Sequence, residues 1–346
     1  MSSFLVVRAR TVLRIIRKLK LDKASGPDGM PVRIFVECCK ELAPAIAVLV
    51  RFLLRSRMWP QIWRLHRIHP LYKKGAVSNA TSYRGVYLTN ILSKVAERVI
   101  GSLLGPYFDQ ADAFGVDQWA FRPKRSCRDL VALLVSRWLW AMDNGFKVAI
   151  YLSDIAGAFD KVDRDILLKR LKSAGLQDAM LDFLYSYLAP REAVVVVQGK
   201  ESHRYRICNE IFQGTVLGPP LWNVFFKSID DIIKCCTFKL AKFADDLTAY
   251  KNFESSLSNE HILEDMEECQ LAAHNWGVVN RVQFDAGKEH FCILHKMNCY
   301  GETFKLLGTL LDPKLTMEDE IRRIQKRRGR RSRQYWQREI ITVFQT

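Results

Sequence analysis

The sequence predicts an α+β fold, and three observations support that prediction. Short apolar runs such as residues 148–152 have the length of buried strands, whereas segments such as 260–276 repeat their apolar residues at helical spacing. Two apolar stretches within residues 238–250 flank a pair of acids, which predicts a β-hairpin with those acids at its tip. The chain has 346 residues, of which 49% are hydrophobic, so it can bury a substantial core. Strands and helices in this mixed order are typical of a sheet with helices on one face.

The first 145 residues are predicted to be mostly helical. Val12 and Ile16 fall on one face of a basic N-terminal segment, which predicts a surface helix. The lack of acids before Asp22 also resembles a transit peptide, but we favour the helix because its pattern continues directly into folded sequence. Ser126 and Asp129 form a predicted capping box. The predicted elements are helices over residues 8–20, 37–57, 91–104 and 126–140, and a strand over residues 68–72.

From residue 146 onward the predicted strands and helices alternate. Gly175 and Pro190 each end a predicted helix, since glycine favours a helix C-terminus and proline interrupts a helix. A loop rich in glycine and proline over residues 214–220 leads into another helix. The predicted elements are strands over residues 148–152, 193–197, 238–243, 247–250, 291–294 and 304–307, and helices over residues 164–174, 179–188, 221–233 and 260–276.

The charge balance favours a polyanionic partner. Lysine and arginine total 53 against 37 acidic residues, a formal net charge of +16, which suits nucleic acid. A membrane-spanning helix needs about 20 apolar residues. The longest apolar stretch, residues 42–50, ends at Arg51, so we expect no membrane partner. Residues 320–346 carry nine basic residues against two acids, and this tail differs in character from the rest of the chain.

The nine cysteines predict an intracellular protein without a disulfide framework. Their number is odd, some are adjacent in sequence, and no secretory signal precedes them. Cys292, His295 and Cys299, near His290, could suggest zinc, but their spacing matches no familiar zinc motif. The segment alternates like a strand, and we favour that interpretation. The acid pair Asp230-Asp231 is interpreted as the solvated face of a helix, because helical geometry splays neighbouring side chains apart.

Asp154, Asp245 and Asp246 are the candidate catalytic residues. Asp154 ends a predicted strand, and the other two acids stand at the hairpin tip. If these elements lie side by side, each pair of carboxylates repels by about 4 kcal/mol at 4 Å for an effective dielectric near 20. Two Mg²⁺ ions, or Mn²⁺ as a substitute, would offset that repulsion and clamp the reacting oxygens of phosphoryl transfer. Taken singly, each acid could also be an ordinary turn residue.

The surrounding segments match a known family in order and spacing. Residues 12–315 resemble the reverse transcriptases of non-LTR (LINE-type) retrotransposons. The catalytic motifs of that family resemble Asp154-Ile155-Ala156-Gly157-Ala158-Phe159-Asp160 and Phe243-Ala244-Asp245-Asp246. The other matching segments are residues 23–29, 71–75 with 82–84 and 94–97, 118–126, 213–219, 287–289 and 306–308. A series of matches in the family's order is a specific signal.

The resemblance implies a right-hand polymerase fold with helical fingers, an antiparallel-sheet palm and a truncated or absent thumb. It implies fingers with an N-terminal extension over residues 1–145, a palm over residues 146–315, and a basic remnant of the thumb over residues 316–346. No endonuclease, RNase H or terminal zinc knuckle is recognised in the sequence. The chain is therefore interpreted as a fragment of a larger retroelement polyprotein.

The resemblance also implies a role for each candidate site residue. Asp154 and Asp245 would ligate both metal ions, with Asp246 in a supporting role. Phe159 would be the steric gate that clashes with a ribose 2′-hydroxyl. Lys288 would be the general acid for the leaving pyrophosphate, with a solvated turn lysine as the alternative.

Four further residues would contact the incoming nucleotide. Lys73 and Arg84 would hold the triphosphate, although either could be an ordinary solvated cation. Gln213 and Gly214 would let the backbone approach the new base pair, because glycine has no Cβ. The alternative for these two is a simple loop.

The predicted activity is RNA-directed DNA synthesis on an RNA template, with dNTPs and either a DNA primer or nicked target DNA. Target-primed synthesis would place the protein in the nucleus, with the cytoplasm as the alternative. Two other functions stay open. One is a nucleic-acid-binding remnant without useful polymerase activity, and the other is an RNA-dependent RNA polymerase, against which Phe159 argues.

Overall fold

The computed structural model describes residues 6–208 and 211–326. The chain divides into two compact units, each assembled from separate stretches of sequence. The first unit comprises residues 1–118, 156–228 and 277–283, and the second comprises residues 119–155, 229–276 and 284–346. The basic tail predicted over residues 316–346 lies outside the described residues from residue 327 onward.

The first unit is mainly helical, with one sheet of five strands. Its helices are α1 (Ala9–Arg17), α2 (Val32–Glu37), α3 (Cys39–Ser56), α4 (Ile91–Gln110), α6 (Arg164–Ser173), α7 (Asp178–Tyr187) and α8 (Gly218–Phe226). Its strands are β1 (Leu65–Tyr72), β2 (Tyr83–Leu88), β4 (Arg191–Val197), β5 (Lys200–Glu201) and β6 (Tyr205–Ile207). β1 pairs antiparallel with β2 and parallel with β4, and β4 also pairs with β5 and β6.

The second unit is built around an antiparallel sheet of four strands in the order β7-β8-β3-β9. Its helices are α5 (Cys127–Asp143), α9 (Ile229–Cys235) and most of α10 (Asn259–Asn280). Its strands are β3 (Phe146–Ser153), β7 (Lys239–Phe243), β8 (Asp246–Glu254), β9 (His290–Leu294), β10 (Phe304–Leu306) and β11 (Thr309–Leu311). β10 and β11 form a separate hairpin.

The core of the second unit explains why β3 is apolar along its length. β3 lies between β8 and β9, so its edges are paired on both sides. Val148 and Ile150 pack with Leu134 and Trp138 of α5 in one buried cluster. α5 begins at the predicted capping box, where the Ser126 hydroxyl accepts a hydrogen bond from the amide of Asp129 at 3.2 Å.

The structure is mixed α/β with antiparallel sheets, as expected, but several details of the prediction are wrong. The helix expected over residues 221–233 is two helices, α8 and α9, and the strands β2 and β11 were not predicted. Asp230 is not part of a solvated face, because it is only 3% exposed and pairs with the buried Lys242. Its neighbour Asp231 is exposed, as predicted.

The strands also do not form the single sheet that was expected, since three sheets occur in the described part of the chain. Within that same part, every helix is too short or too polar to cross a lipid bilayer.

Candidate active site

The strand β3 positions Asp154 at its C-terminal end. The last pair of the β3–β8 ladder joins Ser153 to Leu247. One step further along this antiparallel register, Asp154 comes beside Asp246, the first residue of β8. The side chain of Asp154 is only 13% exposed. The pairing of two strands therefore brings carboxylates from distant parts of the sequence together.

The turn between β7 and β8 carries the other two acids. Phe243 pairs with Asp246, so Ala244 and Asp245 form a two-residue turn. Ala244 has a φ of +60°, a left-handed conformation that two-residue hairpin turns use. The predicted hairpin with acids at its tip is thus present, and Asp245 occupies the tip.

The charge of Asp154 helps to raise the pKa of the other two carboxyl groups. Burial, followed by the charge of Asp154, raises the pKa of Asp245 to about 6. Loss of surrounding water, followed by the charges of Asp154 and Asp245, raises the pKa of Asp246 to about 7. Part of the Asp246 side chain stays open to solvent. The cluster therefore has an excess of negative charge that a cation would relieve.

Lys288 supplies one positive charge to this cluster. Its Nζ donates a hydrogen bond to Oδ2 of Asp154 and lies 3.4 Å from Oδ2 of Asp285. The hydrogen bond to Asp154 is the largest of the effects that raise the pKa of Lys288. The amide of Asp285 also donates to the carbonyl oxygen of Asp154 at 2.8 Å. The turn that carries Lys288 is thus attached directly to the end of β3.

Glu289 anchors a polar network beside Lys288 that the sequence did not predict. Its Oε1 accepts hydrogen bonds from the hydroxyls of Tyr151 and Ser153, and His274 Nε2 lies 2.9 Å from the same oxygen. Its Oε2 accepts from Gln270 at 3.2 Å. Burial opposes ionisation of Glu289, but the hydrogen bonds from Tyr151 and His274 outweigh it and lower the pKa. No local pattern signals these contacts, because the partners lie on β3 and α10.

A cavity of about 530 Å³ opens beside the carboxylates within the second unit. Asp154, Asp246 and Lys288 line one part of it, and Cys127, Lys305 and Leu307 line another. Its wall combines acidic, basic and apolar side chains, so it can accommodate a ligand that carries both charge and an apolar surface.

In the first unit, Phe159 and the loop 211–218 lie against one another. The carbonyl oxygen of Phe159 accepts a hydrogen bond from the amide of Ile211 at 2.8 Å. The Phe159 ring stacks on Trp222 of α8 at 5.9 Å between centroids, with a 20° angle between the ring planes. The gate residue of the prediction is thus held by α8 and by the chain that precedes Gln213.

Gln213 and Gly214 lie in that same loop. Nε2 of Gln213 donates to Oδ1 of Asp160, the neighbour of Phe159, at 2.9 Å. Gly214 has a φ of +76°, and a Cβ at this position would come within 2.6 Å of the carbonyl oxygen of Tyr87. Glycine is therefore required here for conformation and for space.

Lys73 and Arg84 lie on or next to the β1–β2 hairpin of the first unit. The amide of Lys73 donates to the carbonyl oxygen of Ser82 at 2.8 Å, and Arg84 pairs with Leu71 across the two strands. Both side chains are exposed. Neither makes an ion pair with a described residue, so their charges remain available to an anion.

The donor chemistry of the acidic cluster suits hard divalent cations. Over the described residues, no three His, Cys, Asp or Glu side chains form a group that could hold a metal ion as they stand. Asp154 and Asp245 interact electrostatically, and carboxylate oxygens are the ligands that Mg²⁺ and Mn²⁺ prefer. Burial and the charge of Asp154 raise the pKa values of Asp245 and Asp246, and a bound cation would oppose both effects. The chemistry of these residues therefore suits a divalent cation.

Clustered carboxylates beside a lysine are typical of metal-dependent phosphoryl-transfer enzymes. A family model described as reverse transcriptase (RNA-dependent DNA polymerase) matches residues 71–310. The chain belongs to this family.

Curated relatives agree with this assignment. The RNA-directed DNA polymerase from mobile element jockey of Drosophila melanogaster is 28% identical over 344 residues, which cover 92% of this chain and 37% of that protein. A probable RNA-directed DNA polymerase from transposon BS of the same species is 28% identical over 228 residues, covering 63% of this chain and 24% of that protein. The chain thus spans little more than a third of the jockey protein.

A more distant relative is a Pol polyprotein from the type-1 retrotransposable element R2 of Popillia japonica. It is 27% identical over 116 residues, which cover 31% of this chain and 19% of that protein. Jockey is a non-LTR element of the LINE type, so the resemblance to this class is confirmed.

Proposed function

We propose that this chain catalyses RNA-templated DNA synthesis by extending a primer 3′ end with dNTPs. One observation carries the proposal: the pairing of β3 with β8 brings the ends of two strands together, so that the charge of Asp154 helps to raise the pKa of both Asp245 and Asp246. Membership of the reverse transcriptase family supports the direction of information transfer from RNA to DNA.

In this proposal Asp154 and Asp245 hold two Mg²⁺ ions, and Asp246 adds negative charge nearby. When bound, the ions stabilise charge on the attacking and leaving oxygens during phosphoryl transfer. In this proposal Lys288, which pairs with Asp154 and Asp285, donates a proton to the leaving pyrophosphate. Its raised pKa keeps it protonated at neutral pH.

Phe159, Gln213 and Gly214 form the nucleotide-binding surface in this proposal. The stacking of Phe159 on Trp222 supports a rigid gate, since a ring packed on a second ring cannot rotate freely away from a ribose 2′-hydroxyl. Gly214 lets the backbone lie close to the base pair. Lys73 and Arg84 provide exposed charges for the triphosphate.

The proposed domain boundaries are taken from the segments that match the family's motifs. We propose helical fingers over residues 1–145 and an antiparallel palm over residues 146–315, boundaries that differ from those of the two compact units. The partners in this proposal are an RNA template and a DNA primer or nicked target DNA. Synthesis on nicked target DNA would take place in the nucleus.

Primer extension tests the proposal. The wild-type chain and an Asp245→Asn variant are given an RNA template, a DNA primer and Mg²⁺, with either dNTPs or rNTPs. We expect extension by the wild type with dNTPs only, and a loss of at least about a hundredfold in the variant, because a metal-binding charge is removed. Equal extension by both proteins would contradict the proposal. RNA binding without extension would instead favour a nucleic-acid-binding remnant, and efficient use of rNTPs would favour an RNA polymerase.

A further inference from the structure

Glu97 of α4 is a buried acid with an unusual pair of partners. Its side chain has 0% exposure, and one of its oxygens, Oε2, accepts hydrogen bonds from two consecutive backbone amides. These are the amides of Val216 and Leu217, the second at 3.1 Å. An acid on one element thus holds the backbone of another, more than a hundred residues later in the chain.

The start of α8 explains why this acceptor is needed. α8 begins at Gly218, and Pro219 and Pro220 follow in its first turn, so neither can donate a hydrogen bond. The N-cap residue Leu217 makes no side-chain cap. The Glu97 carboxyl therefore accepts the amides that precede the helix, and it lies near the positive end of the helix dipole.

Arg191 supports the other end of the same loop. Its guanidinium lies 4.0 Å from the ring of Phe212 and 4.8 Å from the ring of Tyr187. The same group contacts Nε2 of His66 at 2.8 Å and donates to the carbonyl oxygen of Tyr187. Burial, followed by the charge of Arg191, lowers the pKa of His66 to about 2, so the ring is neutral and accepts this hydrogen bond.

Gln213, Gly214 and Thr215 lie between these two attachments, with Phe212 on one side and Val216 on the other. Arg191 is only 1% exposed, as is Phe212. Gly214 itself is exposed and Gln213 is half-buried. The loop therefore presents its accessible surface on one side, while both of its ends contact buried ionisable side chains.

We propose that Glu97 is a positioning residue for nucleotide binding: by accepting the amides of Val216 and Leu217 it holds the Gln213–Gly214 loop in the conformation that receives the incoming nucleotide. This inference rests on the proposed function of that loop. Glu97 does not contact the nucleotide, and its contribution is geometric. Removing it frees the loop to move away from Phe159 and Tyr87.

Three variants at Glu97 distinguish the effect of side-chain length from the effect of the carboxyl group. Glu97→Gln keeps an oxygen at the same distance but has no charge. Glu97→Asp keeps the carboxyl group but is one methylene shorter, and Glu97→Leu has no oxygen that could accept the amides. We expect the KM for dNTP to rise about tenfold in the Asp and Leu variants, the factor associated with one lost buried hydrogen bond. We expect the Gln variant to stay within about threefold of the wild type.

Ser93→Ala is the matched control, because Ser93 is a buried polar residue of the same helix that donates to the carbonyl oxygen of Asn90 instead. Its KM should equal that of the wild type. A variant that only lowered the folded fraction would reduce the apparent kcat and leave KM unchanged. A wild-type KM in both the Asp and Leu variants would overturn the inference, and so would a Gln variant as impaired as the Leu variant.

Hydrogen exchange gives a readout that does not need polymerase activity. The amides of Val216 and Leu217 should exchange slowly in the wild type and the Gln variant, and about tenfold faster in the Asp and Leu variants. If wild-type extension fails while this pattern holds, the proposed function is wrong but Glu97 still positions the loop. Equal exchange in all four proteins would overturn the inference.

Discussion

Asp245 should lower the stability of the folded chain at high pH. Its pKa is raised from 3.8 to about 6 in the folded state, so the folded protein binds this proton more tightly than the unfolded chain. The resulting stabilisation is present below about pH 4 and is lost as the pH rises through 6. In EDTA at pH 8 we expect Asp245→Asn to increase the free energy of unfolding by roughly 1 kcal/mol, after allowance for solvent screening. Urea unfolding at pH 4 and pH 8 measures this change.

A control variant and added Mg²⁺ test whether the change in stability arises from the charge of Asp245. Glu302→Gln removes an exposed acid from the same unit and should change stability by less than about 0.5 kcal/mol at either pH. Added Mg²⁺ should stabilise the wild type at pH 8 more than the Asn variant, because binding favours the folded state in proportion to affinity. A variant that is less stable than the wild type at pH 8 would contradict the charge repulsion inferred for the cluster.

Sequence motifs identified the candidate site residues, but they did not identify the residues whose hydrogen bonds support that site. Asp154, Asp245 and Lys288 were singled out by their order in the chain, and they are neighbours in the second unit. Glu97 and Glu289 lie in the matched segments 94–97 and 287–289 but were given no role, although Glu97 holds the loop of Gln213 and Glu289 bonds to Ser153, the neighbour of Asp154. Their roles depend on hydrogen bonds to distant segments, and a local pattern of residues carries no information about such contacts.

At the scale of elements, a buried ion pair attaches α9 to β7. Nζ of Lys242 donates to Oδ1 of Asp230, and these side chains are 0% and 4% exposed. Lys242 immediately precedes Phe243, the last residue of β7 before the acidic turn. The pair therefore connects a helix to the strand that leads into the acidic hairpin.

Breaking this pair should be costly, whereas replacing both partners should cost much less. Lys242→Met removes the cation that pairs with the buried Asp230 carboxylate, and we expect a loss of about 3–5 kcal/mol in the free energy of unfolding. The double variant Lys242→Met with Asp230→Leu removes both charges and should recover most of that loss. Chemical denaturation of the two single variants and the double variant measures the coupling.

Lys251 and Asp265 provide the control pair. They form a half-exposed ion pair at 2.7 Å in the same unit, so the same cycle there should give about 1 kcal/mol or less. If the Lys242 and Asp230 changes are simply additive, the ion pair does not connect the two elements energetically.

The spacing of apolar residues and the residues typical of turns predicted most helices and strands. The elements that were missed or merged have physical explanations. β3, β7 and β8 were found because their apolar runs end at turn residues, and α5 was found from its capping box. β2 was missed because Gly85 interrupts its pattern and its stability comes from pairing with β1. The break between α8 and α9 contains neither glycine nor proline, so the sequence gives no local signal for it.

At the scale of the whole molecule, a net charge of +16 should make RNA binding depend strongly on salt. Each phosphate contact with a single strand releases counterions and contributes about −0.7 to the slope of log K against log salt concentration. Four or more contacts would give a slope of about −3 or steeper. Fluorescence anisotropy with a labelled single-stranded RNA between low and moderate KCl concentrations measures the slope.

The slope of log K against log salt concentration reports the charge of the whole chain, whereas primer extension reports the chemistry of its site. Asp245→Asn removes one negative charge, so this variant should bind RNA at least as tightly as the wild type, with the same slope, while it loses primer extension. An oligomer of the same base sequence with an uncharged backbone serves as the control, because it has no counterions to release. Its affinity should be weak and almost independent of salt. A slope near zero with RNA would mean that the excess positive charge does not contact the phosphate backbone, and template binding would then have to rest on base and sugar contacts.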